Sequence, residues 1–136
     1  MALYDRTCRI SVGYQDAEHE RQIVQLAAEH AKQALVTEAV ELTRATREHP
    51  DLRSGASVRG AIDYARLVPE LAEIRAVPAD DWQAGLDAAL TTLSGRVRRH
   101  ESCKRSADHV IEEIFRRVRA AAQAGDPSGG ETRPGE

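Results

Sequence analysis

The sequence predicts a mainly α-helical protein, a small helical bundle preceded by one strand. Residues that enter a helix at little cost, above all Ala, Leu, Arg, Glu and Gln, dominate the composition, whereas aromatic residues make up only 4%. Apolar residues recur at helical spacing along most of the chain. One stretch, Cys8 to Val12, alternates instead between apolar and polar residues. The length of 136 residues suits a single domain.

The alternating stretch Cys8 to Val12 is typical of a strand, and Gly13 ends it. A lone strand leaves its backbone donors and acceptors without partners. We therefore expect this strand to belong to a larger sheet, outside the helical part of the chain.

The first helix is expected to begin after Asp16, whose carboxylate suits an N-cap, with Glu18 and Glu20 in the positive first turn. Its pattern continues without a stop signal through an alanine-rich segment. The predicted inner face comprises Ile23, Leu26, Ala27, His30, Ala31 and Ala34.

Thr37 is predicted to cap a second helix from Glu38 to Glu48, and His49-Pro50 ends it, because the residue before a proline disfavours helix. The segment from Asp51 to Ala56 is predicted to be a loop. Ser57 then caps a third helix.

Pro69 should kink or split the third helix, because it lacks an N–H and clashes with the preceding turn. The run from Pro78 to Asp81 starts a fourth helix, which Gly95 closes, and Ser106 caps the last one. From Gly125 onward the composition predicts disorder. The expected inner faces are Trp82, Leu86, Ala89, Leu90 and Leu93 in the fourth helix, and Val110, Ile111, Ile114, Phe115 and Val118 in the last.

Composition argues against several classes of function. A net charge of -3, with no aromatic residues among the arginine clusters, does not favour a nucleic-acid partner. No apolar run reaches membrane-spanning length, and the two distant cysteines suit a reducing, cytoplasmic compartment. The spacing of His100, Cys103 and His109 matches no established zinc pattern, so no metal site is predicted.

Three stretches carry a family resemblance. The first is Ala2-Leu3-Tyr4-Asp5-Arg6, followed by the strand ending in Gly13-Tyr14 and an acidic helix start. The second is Arg44-Ala45-Thr46-Arg47-Glu48-His49-Pro50, and the third is Gly55-Ala56-Ser57-Val58-Arg59. In this order they resemble the "L-D-R" segment and Gly-Tyr-Pro strand, the "ATR-x-HP" stretch and the "GAS-P-R" signature of MoxR-type AAA+ ATPases, over roughly residues 2–118.

The resemblance implies a division into three regions. Residues 1–15 would be the end of the AAA+ core, 16–123 a helical lid-like domain and 124–136 a disordered tail. It also implies two site residues: Arg59 as the sensor-2 arginine, which meets the nucleotide, and Arg6 as an arginine finger directed at a neighbouring subunit. Independently of the resemblance, Arg59 lies in the first turn after Ser57, where free N–H groups and the helix dipole favour anions.

The sequence contains no G-x-x-x-x-G-K-[ST] loop and no acidic pair for Mg²⁺ before the first helix. ATP and Mg²⁺ are thus implied only for an intact family member, and we expect a truncated lid that is inactive alone. The resemblance implies partners of two kinds, other AAA+ subunits in a ring and a von Willebrand factor A-type protein. The alternative is an independent helical module that docks on another protein; neither interpretation involves nucleic acid or a membrane.

Overall fold

Helices account for most of residues 13–125, which are the residues that the computed structural model describes. This confirms the predicted mainly α fold. The helices are α1 (Ala17–Ala27), α2 (Gln33–Glu48), α3 (Val58–Arg75), α4 (Trp82–Leu93) and α5 (Ala107–Ala124); a 3-10 turn (Ser94–Arg96) follows α4, and strands β1 (Leu52–Ser54) and β2 (Arg98–Arg99) form an antiparallel pair. The predicted strand Cys8 to Val12, Arg6 and the tail after Gly125 lie outside the described residues.

Three of the predicted helix starts are capped as expected. The carboxylate of Asp16 accepts the His19 N–H at 2.8 Å, and that of Asp81 accepts the N–H of Ala84 at 3.0 Å. The Ser106 hydroxyl accepts the His109 N–H at 3.2 Å. Each bond satisfies a donor that the first helical turn leaves free.

The predicted boundary between the first two helices is wrong. α1 ends at Ala27 and α2 begins at Gln33, so Thr37 lies inside α2 and caps nothing. The Gln25 side-chain amide donates to the carbonyls of Ala28 and Ala31, which gives the chain an alternative to continuing the helix. Leu26, expected on the inner face, is 77% exposed.

The segment predicted to be a loop contains β1. Leu52 lies opposite Arg99 and Ser54 opposite Arg98, with an irregular register between the two pairs. Strands of three and two residues are too short to show alternation, so this pairing left no sequence signal. α4 ends at Leu93, before the expected Gly95, and passes into the 3-10 turn.

α3 is one continuous helix that includes Pro69, so of the two expected effects, a kink or a split, the split is wrong. Pro69 is exposed and lacks the N–H that would bond the carbonyl of Ala65. Burial on both sides offsets that loss, since Tyr64 and Val68 lie before the proline and Ala72 lies after it, all within the core.

The core lies between α2, α3, α4 and α5. Four members of the predicted α5 stripe are buried, Val110, Ile111, Ile114 and Phe115, and Val118 is half-buried. In α4, Leu86, Ala89 and Leu93 are buried and Leu90 is half-buried. Trp82 is 41% exposed and covers the edge of the core, its ring meeting Phe115 edge-on at 4.9 Å.

Candidate functional site

The end of α2 is bonded directly to the segment that leads into α3. The Ala56 N–H donates to Thr46 Oγ1 at 2.9 Å, and Arg47 Nε donates to the Ala56 carbonyl at 2.9 Å. Gly55 packs so closely here that a Cβ would lie 2.6 Å from the Arg47 backbone nitrogen. Two of the stretches that carry the family resemblance therefore form one structural unit, which fixes where α3 begins.

Arg59 is the second residue of α3, and its side chain is exposed. It makes no hydrogen bond or salt bridge to any residue in the range 13–125. Ser57 occupies the N-cap position, but its hydroxyl makes no capping bond, and Gly60 donates to the Ser57 carbonyl at 3.0 Å. The start of α3 thus combines an uncapped positive helix end with an arginine that has no partner within the described part of the chain.

The structure adds none of the other candidate residues to the start of α3. Arg6 falls outside the described residues. Within residues 13–125 no three His, Cys, Asp or Glu side chains are grouped so that they could hold a metal ion. Cys103 Sγ lies 3.6 Å from the Arg105 carbonyl, and the His109 ring lies 3.1 Å from the Ser106 hydroxyl.

A buried ion-pair cluster, which we call the Glu20 cluster, joins α1 to α2 and was not predicted. The Glu20 side chain is 4% exposed and meets Arg44 at 2.8 Å and Arg47 through two bonds of 2.7 Å each. The Arg47 guanidinium also lies 3.7 Å from the centroid of the Tyr14 ring. Burial acts to raise the pKa of Glu20, but the hydrogen bonds from the two arginines outweigh it and hold that pKa below its usual value.

A second unpredicted cluster, the Glu38 cluster, joins α2, α3 and α5. The Tyr64 hydroxyl donates to Glu38, and Arg119 approaches the same carboxylate at 3.0 and 3.2 Å. Arg119 also donates to the Asp80 carbonyl at 2.8 Å and lies over the Phe115 ring at 4.9 Å. Burial, followed by the negative charge of Glu38, raises the pKa of the Tyr64 phenol far above its usual value.

A third group of charges ties the end of α2 to α5. Arg105 bridges Asp51 and Glu113, and its hydrogen bonds lower the pKa of both carboxyls. His49 is buried; its Nδ1 accepts the Asp51 N–H at 3.1 Å, and its Nε2 lies 3.6 Å from Glu113. His49-Pro50 ends α2 as predicted, and His49 also helps to fix the helix end against α5.

The charges of these three clusters are largely engaged by one another. Sequence periodicity could not reveal them, because each cluster depends on at least one partner that lies far away along the chain. Arg59 differs, since it is exposed at a helix start and makes no hydrogen bond or salt bridge to the described residues.

No helix between residues 13 and 125 combines the length and the apolar character needed to cross a membrane.

No family model, curated protein or solved structure matches the chain. The resemblance to MoxR-type ATPases therefore depends on the three quoted stretches of sequence alone.

Proposed function

We propose that this chain acts as a lid-type domain of a MoxR-like AAA+ ATPase, in which Arg59 contacts the phosphates of a bound nucleotide. The observation that carries the proposal is the start of α3. There Arg59 is exposed, makes no hydrogen bond or salt bridge within residues 13–125, and follows Ser57, whose hydroxyl does not cap the helix. Ala56, bonded to both Thr46 and Arg47, holds this position on α2. An arginine beside the free N–H groups of a helix start suits a phosphate oxygen.

Arg59 alone cannot provide tight nucleotide binding. A charge-assisted hydrogen bond contributes about 1.5–3 kcal/mol net, whereas micromolar affinity requires about 8 kcal/mol. A phosphate-binding loop and Mg²⁺ ligands must come from an AAA+ core, and the printed sequence contains neither motif. By resemblance, the assembled protein would be a ring that remodels a von Willebrand factor A-type partner.

The test combines the chain with the P-loop core of a MoxR-type ATPase and measures ATP turnover. We expect turnover to rise on addition of the chain and Arg59→Ala to abolish the increase. Arg116→Ala is the matched control, because Arg116 is also an exposed helical arginine but lies on α5 and pairs with Glu112. Equal turnover with the two variants would contradict the proposed role of Arg59.

Calorimetry on the isolated chain supplies a second readout. ATP should bind no more tightly than about millimolar, because one arginine at a helix start falls several kcal/mol short of micromolar binding. Micromolar binding would require a nucleotide site that the proposal does not contain, and would overturn it.

A helical interaction module remains the second candidate, and the exposed Leu26 favours it. Leu26 is 77% exposed beside a groove between the end of α1 and α3 that Ala65 and Pro69 also line. In this case Leu26→Ser should abolish binding to the ATPase core, while turnover should not respond to Arg59→Ala. The lid proposal expects the opposite pattern.

A further inference from the structure

The attachment of α1 differs from that of the other helices in how little apolar surface it buries. Within α1, Val24 is the one fully buried apolar side chain; Ile23 is half-buried and Leu26 is exposed. One surface cleft runs along the helix against the start of α2, and a second lies beside its C-terminal end, against the middle of α3. Such packing leaves few dispersion contacts to hold the helix in place.

Polar contacts add to the attachment of α1. Glu20, the other buried residue of α1, lies between Arg44 and Arg47, and Arg44 also donates to the Gln15 carbonyl at 3.1 Å. At the far end of the helix, Arg66 of α3 donates to the Ala27 carbonyl at 2.6 and 3.0 Å. Side chains of α2 and α3 thus hold α1 by its buried carboxylate and by its C-terminal backbone.

Arg47 connects this attachment to the start of α3. Its two Nη atoms bind Glu20, while its Nε donates to the Ala56 carbonyl, three residues before Arg59. A planar guanidinium that binds along two edges cannot move at one edge without disturbing the other. Loss of Glu20 would therefore release one of the constraints that position Ala56.

We propose that α1 is a detachable strap, latched by Glu20 between Arg44 and Arg47, and that its release loosens the start of α3 through the bond from Arg47 to Ala56. The strap opens as a unit, while α2 to α5 keep their shared core. Nucleotide plays no part in this device, so it can be tested separately from the proposed ATPase role.

Hydrogen exchange by mass spectrometry on Glu20→Gln tests the latch. Glutamine keeps the shape of the side chain but loses the charge that both arginines meet. We expect the α1 amides to exchange roughly 10-fold to 100-fold faster than in the unmodified chain. The exchange rate of the amides of residues 55–60 should rise by a smaller factor, and the α5 amides should keep their protection. Glu18→Gln is the matched control on the same helix, because Glu18 is exposed and pairs only with Arg21 among the described residues; it should leave exchange nearly unchanged.

Three outcomes would overturn the proposal: unchanged α1 exchange in Glu20→Gln, an equal acceleration from Glu18→Gln, or α1 and α5 amides that accelerate together. Because Glu20→Gln could prevent folding, the unmodified chain provides an independent test in low concentrations of urea. There the α1 amides should open at a denaturant concentration below that needed to open α5. Equal protection of the two helices would exclude a separate strap.

Arg47→Lys tests the contact of residue 47 with Glu20 separately from its contact with Ala56. Lysine keeps the charge and can meet Glu20, but its compact head group cannot also bond Ala56. We expect residues 55–60 to lose more protection than they lose in Glu20→Gln. Unchanged exchange at residues 55–60 would show that Arg47 does not carry the coupling.

Discussion

Glu20 is buried and Glu38 half-buried. The two glutamates have similar chemical surroundings, but they join different parts of the molecule. Each carboxylate binds at least one arginine, and in each cluster that arginine lies against an aromatic ring: Arg47 against Tyr14, and Arg119 against Phe115. The Glu38 cluster links three helices of the core. The Glu20 cluster instead links α2 to α1 and to the segment that precedes α1.

We infer from this difference how far the effect of an ion pair extends. The pair holds in place only those elements that apolar packing around it also joins. Removing charges from water costs roughly what their attraction returns, so the pair itself adds little net stability. A fully buried Val, Ile or Phe side chain contributes about 1.5–3 kcal/mol. α5 buries four such side chains, whereas in α1 Val24 is alone. We expect damage at the Glu38 cluster to unfold the protein, and damage at the Glu20 cluster to release α1.

Phe115→Ala should have the largest effect, because the ring is fully buried and supports both Arg119 and Trp82. We expect a loss of about 3–5 kcal/mol in the free energy of unfolding, measured by urea denaturation with Trp82 fluorescence and circular dichroism in parallel. The control is Leu26→Ala on α1, which should change stability by less than about 0.5 kcal/mol. A loss below about 1 kcal/mol for Phe115→Ala would place this face outside the cooperative core.

Two glycines allow the clusters to be compared by adding a single methyl group to each. At Gly55 a Cβ would lie 2.6 and 2.7 Å from backbone atoms of Arg47, which cannot move aside cheaply. At Gly85 it would lie 2.5 Å from the end of the Arg119 side chain and 3.0 Å from the Phe115 ring. Both alanine variants should lose about 1–3 kcal/mol by overpacking, with Gly55→Ala the more severe because its neighbour is backbone.

Gly95→Ala is the matched control for these variants, since no heavy atom lies within 4 Å of its added Cβ. The thermal denaturation midpoint of Gly95→Ala should stay close to that of the unmodified chain. If Gly55→Ala and Gly95→Ala melt at the same temperature, the close packing between Gly55 and Arg47 has no energetic consequence.

The next prediction concerns acid. Because its folded pKa is lowered, Glu20 contributes stability that is fully present above its unfolded pKa, about 4.3, and is lost as the pH falls through the lower folded value. We expect α1 to detach below about pH 4. In NMR spectra the native amide signals of α1 should then disappear at a higher pH than those of α5. The hydrogen bond from the His19 N–H lowers the pKa of Asp16, so the contribution of Asp16 to stability is also lost as the pH falls.

Glu20→Gln and Asp16→Asn separate these two contributions. In Glu20→Gln the α1 signals should already be perturbed at neutral pH and should show little further acid step. In Asp16→Asn the acid step should persist, because asparagine still caps the helix and the Glu20 cluster is intact. An acid step that disappears only in Asp16→Asn would assign the pH dependence to the cap.

The sequence predicted the features that local patterns encode. The caps at Asp16 and Ser106 and the α5 stripe depend on residues three or four positions apart, and they are present in the structure. The fourth helix starts at the predicted run, where Asp81 caps it. The Glu38 cluster and the pairing of β1 with β2 depend on partners dozens of residues apart, for which one sequence offers no spacing rule. The boundary after Ala27 was missed because the alanine-rich segment lacks a stop signal and the Gln25 side chain completes the turn.

Arg59→Ala should have the smallest effect on stability, and it makes the contrast with Arg47 sharpest. Both arginines belong to the stretches that resemble the MoxR signatures, but Arg47 is buried among Glu20, Tyr14 and Ala56, whereas Arg59 is exposed and bonds none of residues 13–125. We expect Arg59→Ala to shift the free energy of unfolding by less than about 0.5 kcal/mol. Arg47→Ala should shift it by well over about 1 kcal/mol, because the buried Glu20 keeps Arg44 but loses Arg47, and the Ala56 carbonyl loses its donor. Urea denaturation of the two variants side by side makes the comparison. A loss above about 1 kcal/mol for Arg59→Ala would mean that its guanidinium supports the fold, and a residue engaged in that way is not free to meet a phosphate.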